Sequence, residues 1–126
     1  MEQLNVKGKI LLACNDDACR NKLLELFEGK SLTIQSVWNE PDLLLEILDT
    51  DYDAIIYDLE LSDFDGVKMV RIIRRIRPKV ALIVISTQSS THFGGKVLQE
   101  GVAYFAVKPI NHNAVYVALQ KALNNK

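Results

Sequence analysis

Five short runs along the chain are rich in aliphatic and β-branched residues: KILLAC (Lys9–Cys14), LTIQSV (Leu32–Val37), AIIYD (Ala54–Asp58), ALIVIS (Ala81–Ser86) and AYFAV (Ala103–Val107). The first, third and fourth are almost continuously apolar, as strands covered on both faces of a parallel sheet are. The second alternates more, which suits a place nearer an edge. Between these runs the apolar positions recur with a helical period of about 3.6 residues. Leu23, Leu24 and Phe27 make one stripe, with Asp16 or Asp17 as the helix cap and Gly29 near its stop. NEPDLLLEIL opens on a capping Asn39 with a proline in the first turn. VKMVRIIRRIR is predicted to face inward through Met69, Ile72, Ile73 and Ile76 and to end before Pro78. STHFGGKVLQEG is a poorer helix, because Gly94 and Gly95 each cost roughly 1 kcal/mol relative to alanine. NHNAVYVALQKALNN closes the chain, with Ala114, Ala118, Leu119 and Ala122 expected inside.

Strands alternating with helices predict an α/β fold with a parallel sheet and right-handed crossovers. No linker, repeat or low-complexity stretch interrupts the rhythm, so residues 1–126 are expected to form a single domain. The length suits one core of ordinary size, and a hydrophobic content of 48% excludes a disordered chain. Fifteen basic against sixteen acidic residues leave a net charge of -1, which gives no reason to expect nucleic acid or a membrane surface as partner. The longest apolar run, Val80 to Ile85, is far too short to span a bilayer. The start MEQLNVKGK lacks an apolar signal region, so a cytoplasmic location is expected, with Cys14 and Cys19 as free thiols.

In a sheet of this kind the functional crevice lies beyond the carboxyl ends of the strands. The residues there are Cys14, Asn15 and Asp16 after the first strand, Asp58 after the third, Ser86 and Thr87 after the fourth, and Lys108 after the fifth. An acid, a hydroxyl and a lysine from three strand ends suit phosphoryl transfer to a carboxylate. The carboxylate is the nucleophile, and the cation and hydroxyl hold the transferred oxygens.

Those residues resemble the receiver domain of bacterial two-component response regulators over about Lys9 to Leu123. YDLELSDFDG is similar to the family's phosphoacceptor loop and VISTQ to the end of its fourth strand. GVAYFAVKPI is similar to its fifth strand with the lysine and proline that follow. The resemblance implies a flavodoxin-like doubly wound (βα)5 fold with strand order 2-1-3-4-5. It implies that Asp58 is phosphorylated by a sensor histidine kinase or phosphotransfer protein, with Ser86 and Lys108 contacting the phosphoryl group. Phe105 falls at the aromatic switch position, Pro109 at a proline preceded by a cis bond, and the Glu60 backbone carbonyl at an Mg2+ ligand. Its signalling surface would be the fourth helix, fifth strand and fifth helix, open to a downstream protein or a second copy of the chain. Beyond self-phosphorylation and autodephosphorylation, no enzyme activity is implied.

The end of the first strand departs from the family, which usually has two acids there. Arg20, Leu23 and Phe27 follow Asn15 at the family's spacing, so Cys14 and Asn15 take the acid positions and Asp16 lies just beyond. Mg2+ prefers hard oxygen ligands, a thiol is soft, and asparagine brings oxygen without charge. A weakened metal site made of Asp58, Glu60, Asn15 and Asp16 is therefore expected. Ser62 replaces a usual proline, while Asp63 and Asp65 read as loop solvation. Lys68, Arg71 and Arg75 read as an exposed face, and His92 and His112 sit at helix starts without an evident partner.

The alternative to a phosphoacceptor is a binding module that keeps the fold without a working metal site. A flavin carrier is disfavoured, because the first loop has no Ser/Thr/Gly-rich phosphate cradle. Haloacid-dehalogenase-type hydrolysis is disfavoured too, since its nucleophilic aspartate ends the first strand, where this chain has Cys14. The chain as given ends at Lys126 without an output domain, so it is expected to act through other proteins or as part of a longer one.

Overall fold

The computed structural model describes residues 7–61, 66–88 and 91–124, the side chains of residues 91 and 92 excepted. The expectations for Ser62, Asp63, Asp65 and the His92 side chain lie outside the described residues.

The elements follow the predicted alternation: β1 (Lys7–Ala13), α1 (Asp17–Phe27), β2 (Ser31–Val37), α2 (Glu40–Asp49), β3 (Ala54–Asp58), a 3-10 turn (Leu59–Leu61), α3 (Gly66–Ile76), β4 (Ala81–Ser86), α4 (Thr91–Leu98), β5 (Tyr104–Val107) and α5 (His112–Asn124). All strand pairs are parallel, in the order β2-β1-β3-β4-β5 expected of a flavodoxin-like sheet.

Residue parity within the strands sorts two cores. Leu11, Ala13, Ile55, Tyr57, Leu82 and Val84 point to one face, beneath Leu43 and Ile47 of α2 and Met69, Val70 and Ile73 of α3. Ile10, Leu12, Ile56, Ile83 and Ile85 point to the other, beneath Leu23 and Phe27 of α1 and Val115 and Leu119 of α5. This is why β1, β3 and β4 read as unbroken apolar runs: each has a helical layer on both sides.

Local signals set the element ends. Asp16 caps α1 by accepting from the Cys19 N–H, and Asn39 caps α2 by accepting from the Asp42 N–H. Gly29 turns the chain out of α1 with φ +79°, a region that other residues enter at a cost. At Gly66 a Cβ would meet Leu59 Cδ2 at 2.9 Å, so a side chain there would force the Leu59 side chain to shift.

Two inward faces differ from the predicted ones. In α3 the buried stripe is Met69, Val70 and Ile73, while Ile72 is 41% exposed. At about 100° per residue, Ile72 lies roughly a quarter turn from the centre of that stripe. In α5 the buried line runs through Val115 and Leu119, and Ala114, Ala118 and Ala122 are half-buried flanks. Among the described residues no helix is long and apolar enough to cross a membrane.

The α4 helix is short, and its two glycines serve different ends. A Cβ on Gly94 would touch the Phe105 ring at 3.4 Å, whereas one on Gly95 would meet nothing within 4 Å. The low helix propensity that Gly94 and Gly95 bring to this eight-residue helix makes α4 the element expected to open first. Hydrogen exchange is expected to be faster over Phe93–Leu98 than over Ile72–Ile76. Equal protection of the two segments would contradict this.

Candidate functional site

The ends of β1, β3, β4 and β5 converge on Asp58. Its side chain is 0% exposed, and both carboxylate oxygens accept hydrogen bonds. Oδ1 accepts from the Glu60 backbone N–H at 3.0 Å. Oδ2 accepts from Lys108 Nζ at 2.7 Å and from the Cys14 Sγ at 3.2 Å. A buried carboxylate without such partners would be prohibitively unstable, and these contacts make it tolerable. The ammonium of Lys108 also reaches Asp16 Oδ2 at 3.2 Å and Glu60 Oε1 at 3.5 Å. One lysine thus bridges three carboxylates brought from two strand ends.

The charges respond to this packing. Burial works against the ammonium of Lys108, but the hydrogen bonds and charges of Asp58 and Asp16 outweigh it and hold its pKa above the usual lysine range. Asp16 is held below the usual carboxylate range by the Cys19 backbone N–H and then by Lys108. The neighbouring Cys19 thiol, with burial, pushes the Cys14 thiol up, and Cys14 in turn lowers Cys19. Cys14 therefore keeps its proton and donates it toward Asp58. It brings a hydrogen-bond donor to the site and no negative charge.

Ser86 is fully buried at the end of β4. Its Oγ donates to Glu60 Oε2 at 3.0 Å and accepts from the Gln88 N–H at 3.0 Å, while the Thr87 N–H donates to Glu60 Oε1 at 3.0 Å. Phe105 is half-buried on β5, with its ring centroid 6.0 Å from that of Phe93 on α4. The Lys108–Pro109 bond is cis, as the family resemblance implies.

Asn15 is exposed, and Asp16, not Asn15, faces the lysine. Arg20 is buried and donates through Nη1 to the Cys14 carbonyl at 2.9 Å, tying α1 to the end of β1. Lys68, Arg71 and Arg75 are exposed, and Arg71 pairs with Glu100 at 3.0 Å. His112 has a buried Nε2 with no hydrogen-bond partner and lines the same cleft as Asp16 and Lys108. Sequence reasoning named Glu60 for its backbone carbonyl and missed its side chain. The available signal was Leu59 and Leu61: both are buried in the 3-10 turn, which turns the residue between them outward over the crevice.

Comparison with known proteins identifies the family. Residues 10–120 match the family model described as the response regulator receiver domain, and the chain belongs to that family. Like other receiver domains it is a signalling module and not a classical enzyme, and the family works with histidine kinases and downstream effectors.

Among curated relatives, the transcriptional regulatory protein ZraR of Salmonella typhimurium is 22% identical over 94% of this chain and 27% of its own length. The DNA-binding transcriptional regulator NtrC of Azospirillum brasilense is 27% identical over 92% of this chain and 24% of its own. The transcriptional regulatory protein GlrR of Escherichia coli is 30% identical over 90% and 26%. The chain therefore spans about a quarter of the length of these relatives.

Solved structures agree on the fold. The receiver domain of Francisella response regulator 1452 superposes with TM-score 0.86 at 20% identity, covering 94% of this chain and 98% of that one. A two-component response regulator from Clostridium difficile gives 0.85 at 24% identity, covering 94% and 97%.

Proposed function

We propose that the chain is a phosphoacceptor whose Asp58 takes a phosphoryl group from a phosphohistidine. The observation that carries this is the meeting of Asp58, Lys108 and Ser86 at one crevice. An Asp58 carboxylate oxygen attacks phosphorus, a P–O bond forms and the P–N bond breaks, with its electron pair passing to the imidazole nitrogen. The product is an acyl phosphate on Asp58 and a free histidine on the donor. Lys108 neutralises charge on the transferred oxygens, and Ser86 Oγ and the Thr87 N–H are placed to donate to them. A cleft of about 370 Å3 beside the cluster, lined by Asp16, Cys19, Thr87, Lys108 and Pro109, gives the donor's imidazole a way in.

Asp58 and Asp16 both reach a single cation, the Lys108 ammonium, so two hard oxygen donors converge. Cys14 occupies a third position with a protonated sulfur, and among the described residues no group of three or more His, Cys, Asp or Glu is arranged around a metal. The donors fit Mg2+ weakly. Asp58, Asp16, the Glu60 carbonyl and Asn15 would hold the ion, which when bound supplies positive charge to the phosphoryl oxygens. Asn15→Asp restores a charged oxygen at the mouth of the site and is expected to tighten Mg2+ binding about tenfold, worth about 1.4 kcal/mol. An Mg2+ titration by NMR checks this. Equal affinities for the original and the variant would mean that Asp16 already supplies the missing charge.

Phosphorylation is read out on the surface of α4, β5 and α5. Leu98, Val107 and Val117 are exposed apolar side chains on these elements, and a groove of about 740 Å3 lies along Tyr104, Ala114, Val117 and Lys121. In this reading a single cytoplasmic domain passes its signal to a downstream protein through that surface, as Ser86 and Phe105 are drawn inward. The test is an amide NMR map before and after a small acyl-phosphate donor with Mg2+. Shifts are expected at Thr87, along β5 and in α4, with little change in α2. A mass gain on Asp58 without those shifts would defeat the switching part of the reading.

A further inference from the structure

We infer that the Glu60 side chain is a built-in competitor for the seat of the phosphoryl group. The inference rests on the phosphoacceptor reading of Asp58. A phosphoryl group attached to Asp58 presents anionic oxygens, and the donors available to it are Ser86 Oγ, the Thr87 N–H and Lys108 Nζ. In the resting structure the Glu60 carboxylate accepts from the first two and forms a longer ion pair with the third. Oε2 accepts from Ser86 Oγ at 3.0 Å, and Oε1 accepts from the Thr87 N–H at 3.0 Å and lies 3.5 Å from Lys108 Nζ.

The carboxylate is itself a charged, two-oxygen acceptor, and hydrogen bonds to a charged group are the stronger kind. Ser86 Oγ and the Thr87 N–H carry one proton each, so the phosphoryl group and the Glu60 carboxylate compete for them. The displacement needs no rearrangement of the core. Glu60 is 35% exposed, while Leu59 and Leu61 are buried on either side and hold the backbone still. The side chain can swing into solvent as its peptide stays in place.

The resting site is therefore self-occupied, with its donors satisfied before any phosphodonor arrives. This sets a threshold. A weak donor must compete with an intramolecular carboxylate for Ser86, Thr87 and Lys108, and a kinase that offers extra contacts overcomes it more readily.

The test compares the full chain with Glu60→Ala and Glu60→Asp, all with excess Mg2+. Beryllofluoride, a stable phosphoryl analogue, is titrated and followed by the Thr87 amide signal in NMR. Glu60→Ala is expected to bind the analogue about tenfold more tightly, the factor for removing one charge-assisted hydrogen bond's worth of competition. Glu60→Asp keeps the charge but is one methylene too short for the seat, so it should also bind more tightly than the original. The Thr87 amide of the ligand-free Glu60→Ala variant should already be displaced.

Equal affinity of the original and Glu60→Ala, or no binding by that variant, overturns the inference. So does an Asp variant that binds like the original while the Ala variant binds more tightly, because charge alone would then be responsible. If Asp58 gains a phosphoryl group from a small donor and the affinities are nevertheless equal, the competitor fails and the phosphoacceptor reading stands. If no variant gains mass, the phosphoacceptor reading fails and takes the competitor with it.

Discussion

Asp58→Asn is expected to abolish the acid-labile mass gain that the original chain shows with a small acyl-phosphate donor and Mg2+. The amide oxygen of asparagine is a poor nucleophile, so the loss should be complete and not a slowing. The effect should also be specific to this acid. Asp16 is at the mouth of the site and caps α1, and Glu60 is seated on the very donors that a transferred group would need. Among the described acids, only Asp58 stands at a strand end with Lys108 at 2.7 Å. Intact-mass spectrometry of the two proteins decides the matter. A full mass gain in the variant would place the phosphoryl group on another residue.

The second large effect belongs to Lys108. Lys108→Met removes the ammonium and keeps most of the side-chain volume, so it isolates the charge. Asp58 is then left buried without its counter-charge, beside the carboxylates of Asp16 and Glu60. Breaking a buried ion pair at one end costs about 3–5 kcal/mol, and the 14% exposure of Lys108 argues for the lower end, about 3 kcal/mol. In an Asp58→Asn background the same change should cost only about 1 kcal/mol, since the charge that needed compensation has gone. Urea unfolding of the four proteins measures the coupling. Additive costs would show that the pair is not a unit. The rate of Asp58 phosphorylation should also fall about a hundredfold in Lys108→Met, the usual scale for losing one electrostatic contact to a developing charge.

Much of this arrangement was legible before the structure. The apolar runs of β1, β3 and β4 announce a sheet covered on both faces, and residues at their carboxyl ends then meet by topology alone. The register at the end of β1 was readable from Arg20, Leu23 and Phe27. In the structure Leu23 and Phe27 enter the core, and Arg20 donates to the carbonyl of Cys14.

Other features could not be read along the chain. The ion pair of Lys108 with Asp16 joins residues 92 positions apart and depends on how far a lysine stem reaches across the crevice. The linkage of Cys14 to Cys19 and to Asp58 depends on where α1 leaves β1. Ile72 was misplaced because an apolar residue beside a buried stripe carries the same letter as one inside it. The Glu60 side chain was missed because loop carboxylates are usually solvated. Only the burial of Leu59 and Leu61 turns this one over the site.

The central claim, that this crevice is built to phosphorylate Asp58, is tested most directly on the unaltered chain. It is incubated with a small acyl-phosphate donor and Mg2+, reduced with borohydride to trap any acyl phosphate, digested and mapped by mass spectrometry. The prediction is a single trapped site at Asp58, with the other acids unmodified. A trapped site at another acid, or no trapped residue at all, would contradict it.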